Sequence, residues 1–216
     1  MTAPEPTRER ILRAAASLFA TQGYQGTSTR DIADAVGIKQ PSLFHHFATK
    51  AEIMAALQAL DLQPSVGLLE AFAAHDGSPA ASLYAAVRLE VRHLLASSYD
   101  FRGTSTPIVL NDPAFATATG WFARIQIART RLIERGVAAG ELTAIDPSFA
   151  NRAIEWSIDG VVSDAQRVAP GRIDEFAEQV AGFALRALLV EPGRLDDVRR
   201  EALALSDPTD RELGDR

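Results

Sequence analysis

Residues 27 to 50, TSTRDIADAVGIKQPSLFHHFATK, constrain this chain more than any other stretch, because they read as two short helices joined by a sharp turn and followed at once by a third. Ser28 and Asp31 stand at the spacing at which a hydroxyl and a carboxylate cap a helix start reciprocally, just ahead of apolar Ile32, Ala33 and Val36. A helix from about Thr29 to Val36 follows. Gly37 supplies the left-handed backbone that a tight inter-helix turn needs, and Ile38 anchors the turn. Pro41 suits the first turn of a second helix, where its missing N–H costs nothing, so Gln40, Pro41 and Ser42 form an exposed nose while Leu43 and Phe47 pack inward. Thr49 and Glu52 repeat the capping spacing and open the third helix, with Ile53, Leu57 and Leu60 on one face. Two short helices at a steep angle are a DNA-reading device: the second enters a major groove while the first lies across the backbone.

The run STRDIADAVGIKQPSLFHHFATKAEI, preceded by an amphipathic helix ending in Phe19 and Gly23, closely resembles the DNA-binding head of the tetracycline-repressor (TetR) family over roughly residues 8 to 60. The resemblance implies base-edge or groove-floor contacts from Gln40, Pro41 and Ser42, and phosphate contacts from Thr29, His46 and Lys50. One position departs from the family pattern: Phe44 stands where a tyrosine hydroxyl usually meets a phosphate, so that contact is in doubt and His45 is the candidate to replace it. Lys39 and Lys50 are the only lysines in the chain and both flank the second helix, where a flexible point charge suits phosphate; Arg30 completes the candidate set. The adjacent histidines do not imply metal. Successive helical residues point about 100° apart, no cysteine is present, and no metal or cofactor is expected.

The net charge of -6 looks wrong for a DNA binder until its distribution is read. Residues 1 to 50 hold six basic against four acidic side chains, leaving 16 against 24 for the rest. Attraction to DNA is local, since salt screens exposed charges beyond about 8 Å. An architectural DNA binder should be strongly basic, which this chain is not outside its head. An enzyme would need a nucleophile-base set, metal ligands or a phosphate loop, and the four scattered histidines make none of these. The absence of cysteine fits a reducing interior, and no signal sequence or apolar run of about 20 residues is evident, so the expected location is cytoplasmic and away from membranes.

The remainder reads as helices without strand alternation, so the expected fold is all-α with about nine to ten helices: a three-helix DNA-binding head at residues 1–50, a helical regulatory and dimerisation domain at 51–206, and a disordered tail at 207–216. Ile11, Ala15, Leu18 and Phe19 give the first helix its buried stripe. Pro64 predicts a kink or stop near Gln63 in the helix that begins at Lys50. Further helices are expected over about Pro79–Ser98, residues 106–111, Ala114–Ala139, Pro147–Val168 and Arg172–Val190, with one more permitted by Leu195, Val198, Ala202 and Leu205.

The last two long helices are apolar over much of their circumference and are joined by only a few residues, so they fold back antiparallel. The predicted dimer interface comprises Ile154, Ser157, Ile158, Val161, Phe176, Val180, Ala184 and Leu188; the other reading is that the chain's own helices cover these faces. A sensing region is expected where aromatics mix with sparse polar groups: His93, Tyr99, Phe101, Arg102, Asn111, Phe115, Trp121, Phe122 and Trp156 are the candidate ligand contacts, with a role as ordinary core as the alternative. These features point to a homodimeric regulator, a repressor of a palindromic operator on double-stranded DNA released by an unidentified small molecule. A regulator controlled by another protein, an activator, or an architectural DNA-binding protein stays open beside it.

Overall fold

The computed structural model describes residues 5–163 and 168–205. Ten α-helices lie among them: α1 (Thr7–Gly26), α2 (Thr29–Val36), α3 (Gln40–Phe44), α4 (Lys50–Ala74), α5 (Pro79–Ala96), α6 (Pro107–Leu110), α7 (Ala116–Ala138), α8 (Pro147–Ser163), α9 (Ile173–Leu188) and α10 (Leu195–Ala204). The all-α expectation holds; among the described residues there is no strand, only an isolated antiparallel bridge between Leu142 and Leu189. No described helix is long and apolar enough to cross a membrane. The tail expected to be disordered and the stretch at 164–167, expected to be helical, lie outside the described residues.

Contacts divide the chain into two units, Met1–Gln63 with Ser97–Gly120, and Pro64–Ala96 with Trp121–Arg216. In the first, α1 buries Ile11, Leu12, Ala15, Ala16 and Phe19, whereas Leu18 is only half-buried. Gly23, at φ 75° and ψ 160°, breaks the helix before its last turn, so that Tyr24 turns its ring between Phe19 and Phe115, edge-on to both at 5.4 and 5.3 Å. The segment after α5 is held to this unit by close backbone approach: a Cβ on Gly103 would lie 2.5 Å from the Phe19 carbonyl group and 2.8 Å from the Ala20 nitrogen. A buried polar cluster fastens the same segment to α4. Thr104 donates from Oγ1 to Asp61 Oδ2 at 2.5 Å, Ser105 Oγ to the same oxygen at 3.1 Å, and Gln58 Nε2 to the Thr104 carbonyl at 3.0 Å.

α4 continues through Pro64 to Ala74 where the sequence predicts a kink or stop. A proline removes one backbone donor and adds a steric clash, but tertiary burial of Leu62, Val66, Leu69 and Phe72 on the surrounding turns outweighs it. Leu60, expected on the inner face, is 39% exposed, and Asp61 and Leu62 are buried instead.

The second unit is organised around α5. Every residue from Pro79 to Val87 is buried, so this helix has no solvent face there and must be covered on all sides, chiefly by α9, α10 and α8. Its buried acid is Glu90, 6% exposed, whose two carboxylate oxygens accept from Arg129 Nη2 on α7, at 2.9 and 2.7 Å. Arg129, 1% exposed, also donates from Nη1 to Asn151 Oδ1 on α8 at 3.1 Å. Asn151 in turn donates to Gln126 Oε1 at 2.6 Å, and Gln126 to Glu155 Oε2 at 2.9 Å, giving a chain of polar contacts across three helices.

Candidate nucleic-acid interface

Local chemistry presents α3, the second helix of the candidate pair. Ser28 accepts from the Asp31 amide at 3.1 Å while Asp31 accepts from the Ser28 amide at 2.8 Å, closing the capping box and holding the Asp31 carboxyl below its ordinary pKa, first through the Ser28 hydroxyl and then through the Ser28 amide. Gly37 takes the left-handed conformation at φ 74°, ψ 33°, and its N–H and that of Ile38 close the end of α2. α3 then starts with Pro41 in its first turn and buries one side chain, Leu43. Phe47, just beyond, is buried beneath the Arg8 guanidinium, 4.7 Å above its ring.

Of the sequence-predicted DNA contacts, Arg30, Lys39, Pro41, Ser42, Phe44, His45 and His46 are exposed, and Thr29, Gln40 and Lys50 are half-buried. The three half-buried ones are already paired. Gln40 donates from Nε2 to Thr29 Oγ1 at 2.8 Å, joining the fronts of α3 and α2 and leaving the Gln40 carbonyl oxygen as the acceptor for a partner. Lys50 spends two of its three N–H bonds on backbone, the Tyr24 carbonyl at 2.6 Å and the Thr27 carbonyl at 2.7 Å, with the Tyr24 ring 4.2 Å from its nitrogen. Burial of that ammonium pulls its pKa below the ordinary lysine value. Sequence reasoning treated Lys50 as a surface charge; in the fold it braces the segment between α1 and α2. Arg30 stands 3.9 Å from Asp34 with both side chains largely in solvent, a pair too open to restrain it. Sequence reasoning also missed Arg10, which donates to the Val36 carbonyl at 2.6 Å and sets positive charge at the C-terminal end of α2, where a helix favours it. Its partner is 26 residues away, beyond any local spacing rule.

The candidate ligand contacts divide between the two units. Tyr99, Phe101, Arg102, Asn111 and Phe115 belong to the first unit. There Phe101 and Phe115 are core at 6% and 3% exposure, Tyr99 lies half-buried beside Phe101, Arg102 pairs with Asp100, and Asn111 is exposed. In the second unit His93 and Trp121 are half-buried and Trp156 is 62% exposed. Phe122 alone of the set lines a groove of about 550 Å³ between α7 and α8, together with Gln126, Ile127, Thr130, Asn151 and Glu155 among others. Partial burial raises the Glu155 carboxyl above its ordinary pKa, while Arg129 and the Gln126 hydrogen bond pull the other way.

The residues predicted for the dimer interface differ in exposure within a single chain. Ile154, Ile158, Val180, Ala184 and Leu188 are buried at 3, 5, 8, 7 and 5% within a single chain, where the chain's own helices cover them. Ser157, Val161 and Phe176 are half-buried. The large apolar side chains that α8 and α9 leave in solvent are Phe149, Trp156 and Phe183, at 49, 62 and 71% exposure.

Comparison with known proteins agrees with this geometry. The family model for bacterial regulatory proteins of the tetR family matches residues 11–57. The HTH-type transcriptional repressor KstR2 of Mycolicibacterium smegmatis is 43% identical over 51 residues, 24% of this chain and 25% of that protein, so such relatives are matched over about a quarter of their length. The HTH-type transcriptional repressor AcnR of Corynebacterium glutamicum is 30% identical over 188 residues, covering 82% of this chain and 89% of that protein. The crystal structure of Mycobacterium smegmatis AmtR superposes with a TM-score of 0.71 at 29% identity, over 96% of this chain and 99% of that one. The capped α2, the Gly37 turn and the exposed α3 lie inside the matched head, and the likeness extends through the body: the chain belongs to the tetR family of bacterial regulatory proteins, DNA-binding regulators of transcription.

Proposed function

We propose that this protein is a cytoplasmic, homodimeric repressor that occupies a palindromic operator and is released when a small molecule binds its helical body. The observation that carries the reading is the exposed nose of α3: Pro41 and Ser42 stand in solvent while Leu43 beside them is fully buried, so the helix is anchored by one side and free on the other. Gln40 and Ser42 read base edges, Pro41 packs on the groove floor, and Thr29, Arg30, Lys39, His45, His46 and the third N–H of Lys50 meet phosphates. Residues 1–50 act as the DNA-binding head and the remainder as the regulatory part. One short helix reads only a few base pairs, so two copies related by two-fold symmetry double the contacts on an inverted repeat; the exposed Trp156 and Phe183 support such pairing through α8 and α9.

The KstR2 and AcnR relatives are repressors by name, which supports the same sign of regulation here. The α7–α8 groove, within the volume range of small-molecule sites, supports control from the body. A ligand that prefers a body conformation with misplaced heads weakens DNA binding by the factor by which DNA weakens ligand binding. The test is competition at physiological salt between a duplex selected by the protein and random duplex of equal length. Specific displacement by the selected duplex is expected; equal displacement by both would end the operator reading.

A further inference from the structure

On the reading that α3 enters a major groove, we propose that Phe44 senses the 5-methyl group of a thymine in each half-site. Phe44 is 45% exposed on a helix of five residues whose inward side chain is Leu43. It follows Gln40 by four positions and Pro41 by three, and therefore shares a helix face with both. Phe47, three residues on, is buried and covered by Arg8, whereas Phe44 has no such cover among the described residues. The fold leaves a large apolar ring in water on the surface that meets DNA.

A phenyl ring neither donates nor accepts a hydrogen bond, so it cannot read the polar edge of adenine, guanine or cytosine and cannot hold a phosphate. The major-groove edge of the four bases carries one apolar group, the thymine methyl. The deoxyribose is also apolar in part, but it is the same at every nucleotide. A ring packed there adds affinity without preference; a ring packed on the methyl makes one position of the half-site prefer thymine over every other base.

The test uses the full chain and a preferred duplex selected from a random pool, with each thymine replaced in turn by deoxyuridine, which lacks only the methyl. At one position per half-site the substitution should weaken wild-type binding about fourfold, the factor equivalent to ~0.8 kcal/mol for one buried carbon. Phe44→Ser should abolish that sensitivity, and Phe44→Tyr, which keeps the ring, should retain it; circular dichroism shows whether both variants are folded. The proposal is overturned if deoxyuridine is tolerated at every position, if Phe44→Ser loses as much as the wild type at the same thymine, or if the selected half-site contains no thymine. A protein that selects no sequence at all refutes the DNA-reading assignment itself, a result distinct from specific binding that is indifferent to the methyl.

Discussion

Replacing Arg129 with methionine tests whether the buried ion pair on α5 and α7 holds the second unit together. The change leaves the Glu90 carboxylate, 6% exposed, without its charged partner and strips Asn151 Oδ1 of its donor. Removing one member of a buried pair costs about 3–5 kcal/mol, because the remaining charge stays desolvated. At roughly 2–4 °C per kcal/mol for a chain of this length, the melting temperature should fall by roughly 6–20 °C. The double variant E90L/R129M removes both charges and should recover at least half of the loss. The deficit should also depend on pH. Arg129 is one of the groups that restrain the pKa of Glu155, already raised by partial burial, so without it that carboxyl rises further. An acid whose folded pKa lies above its unfolded value holds a proton that the unfolded chain gives up, so stability falls as pH climbs from the ordinary glutamate value of about 4.3 toward the folded one. The R129M deficit should therefore widen from acid to neutral pH. Thermal unfolding followed by circular dichroism from pH 4 to 8 reads both effects. A variant within about 1 kcal/mol of wild type at neutral pH, or a deficit that narrows as pH rises, would refute the reasoning.

Gly103→Ala drives a Cβ into the Phe19 carbonyl group and should destabilise the first unit by about 1–3 kcal/mol, whereas Gly120→Ala, with nothing within 4 Å, should gain about 0.5–1 kcal/mol; equal melting temperatures would dismiss the close approach. Lys50→Ala removes two charge-assisted bonds to backbone, so it should lower stability by about 1–3 kcal/mol and also reduce the salt slope of DNA binding by about one. A lost melt with an unchanged slope would leave Lys50 a brace alone. Trp156→Asp with Phe183→Asp should give folded monomers in sedimentation, while Val180→Asp should unfold the chain before it can reveal an interface. A persistent dimer in the double variant would move the interface elsewhere.

What could be read along the chain was whatever depends on neighbours within one or two turns. Ser28 with Asp31, Gly37, and Pro41 each act through backbone geometry three or four residues wide, which is why α2, the turn and the nose of α3 emerge from the letters. The same holds for the helical class and the short α10, whose Val198 and Ala202 are buried as their spacing implied. Periodicity shows that a helix face is apolar but not what covers it. Val180 and Ala184 proved to be buried within their own chain because α5 occupies the centre of its unit, a placement no pattern within α9 contains. Charge partners failed for the same reason: Lys50 meets carbonyls 23 and 26 residues back, and Arg129 meets Glu90 across 39, so their roles exist only once the chain has closed on itself. Local backbone chemistry determined the helix-turn-helix; burial and long-range pairing, which depend on three-dimensional proximity, decided which of its charges remain in solvent and which faces of the body remain open.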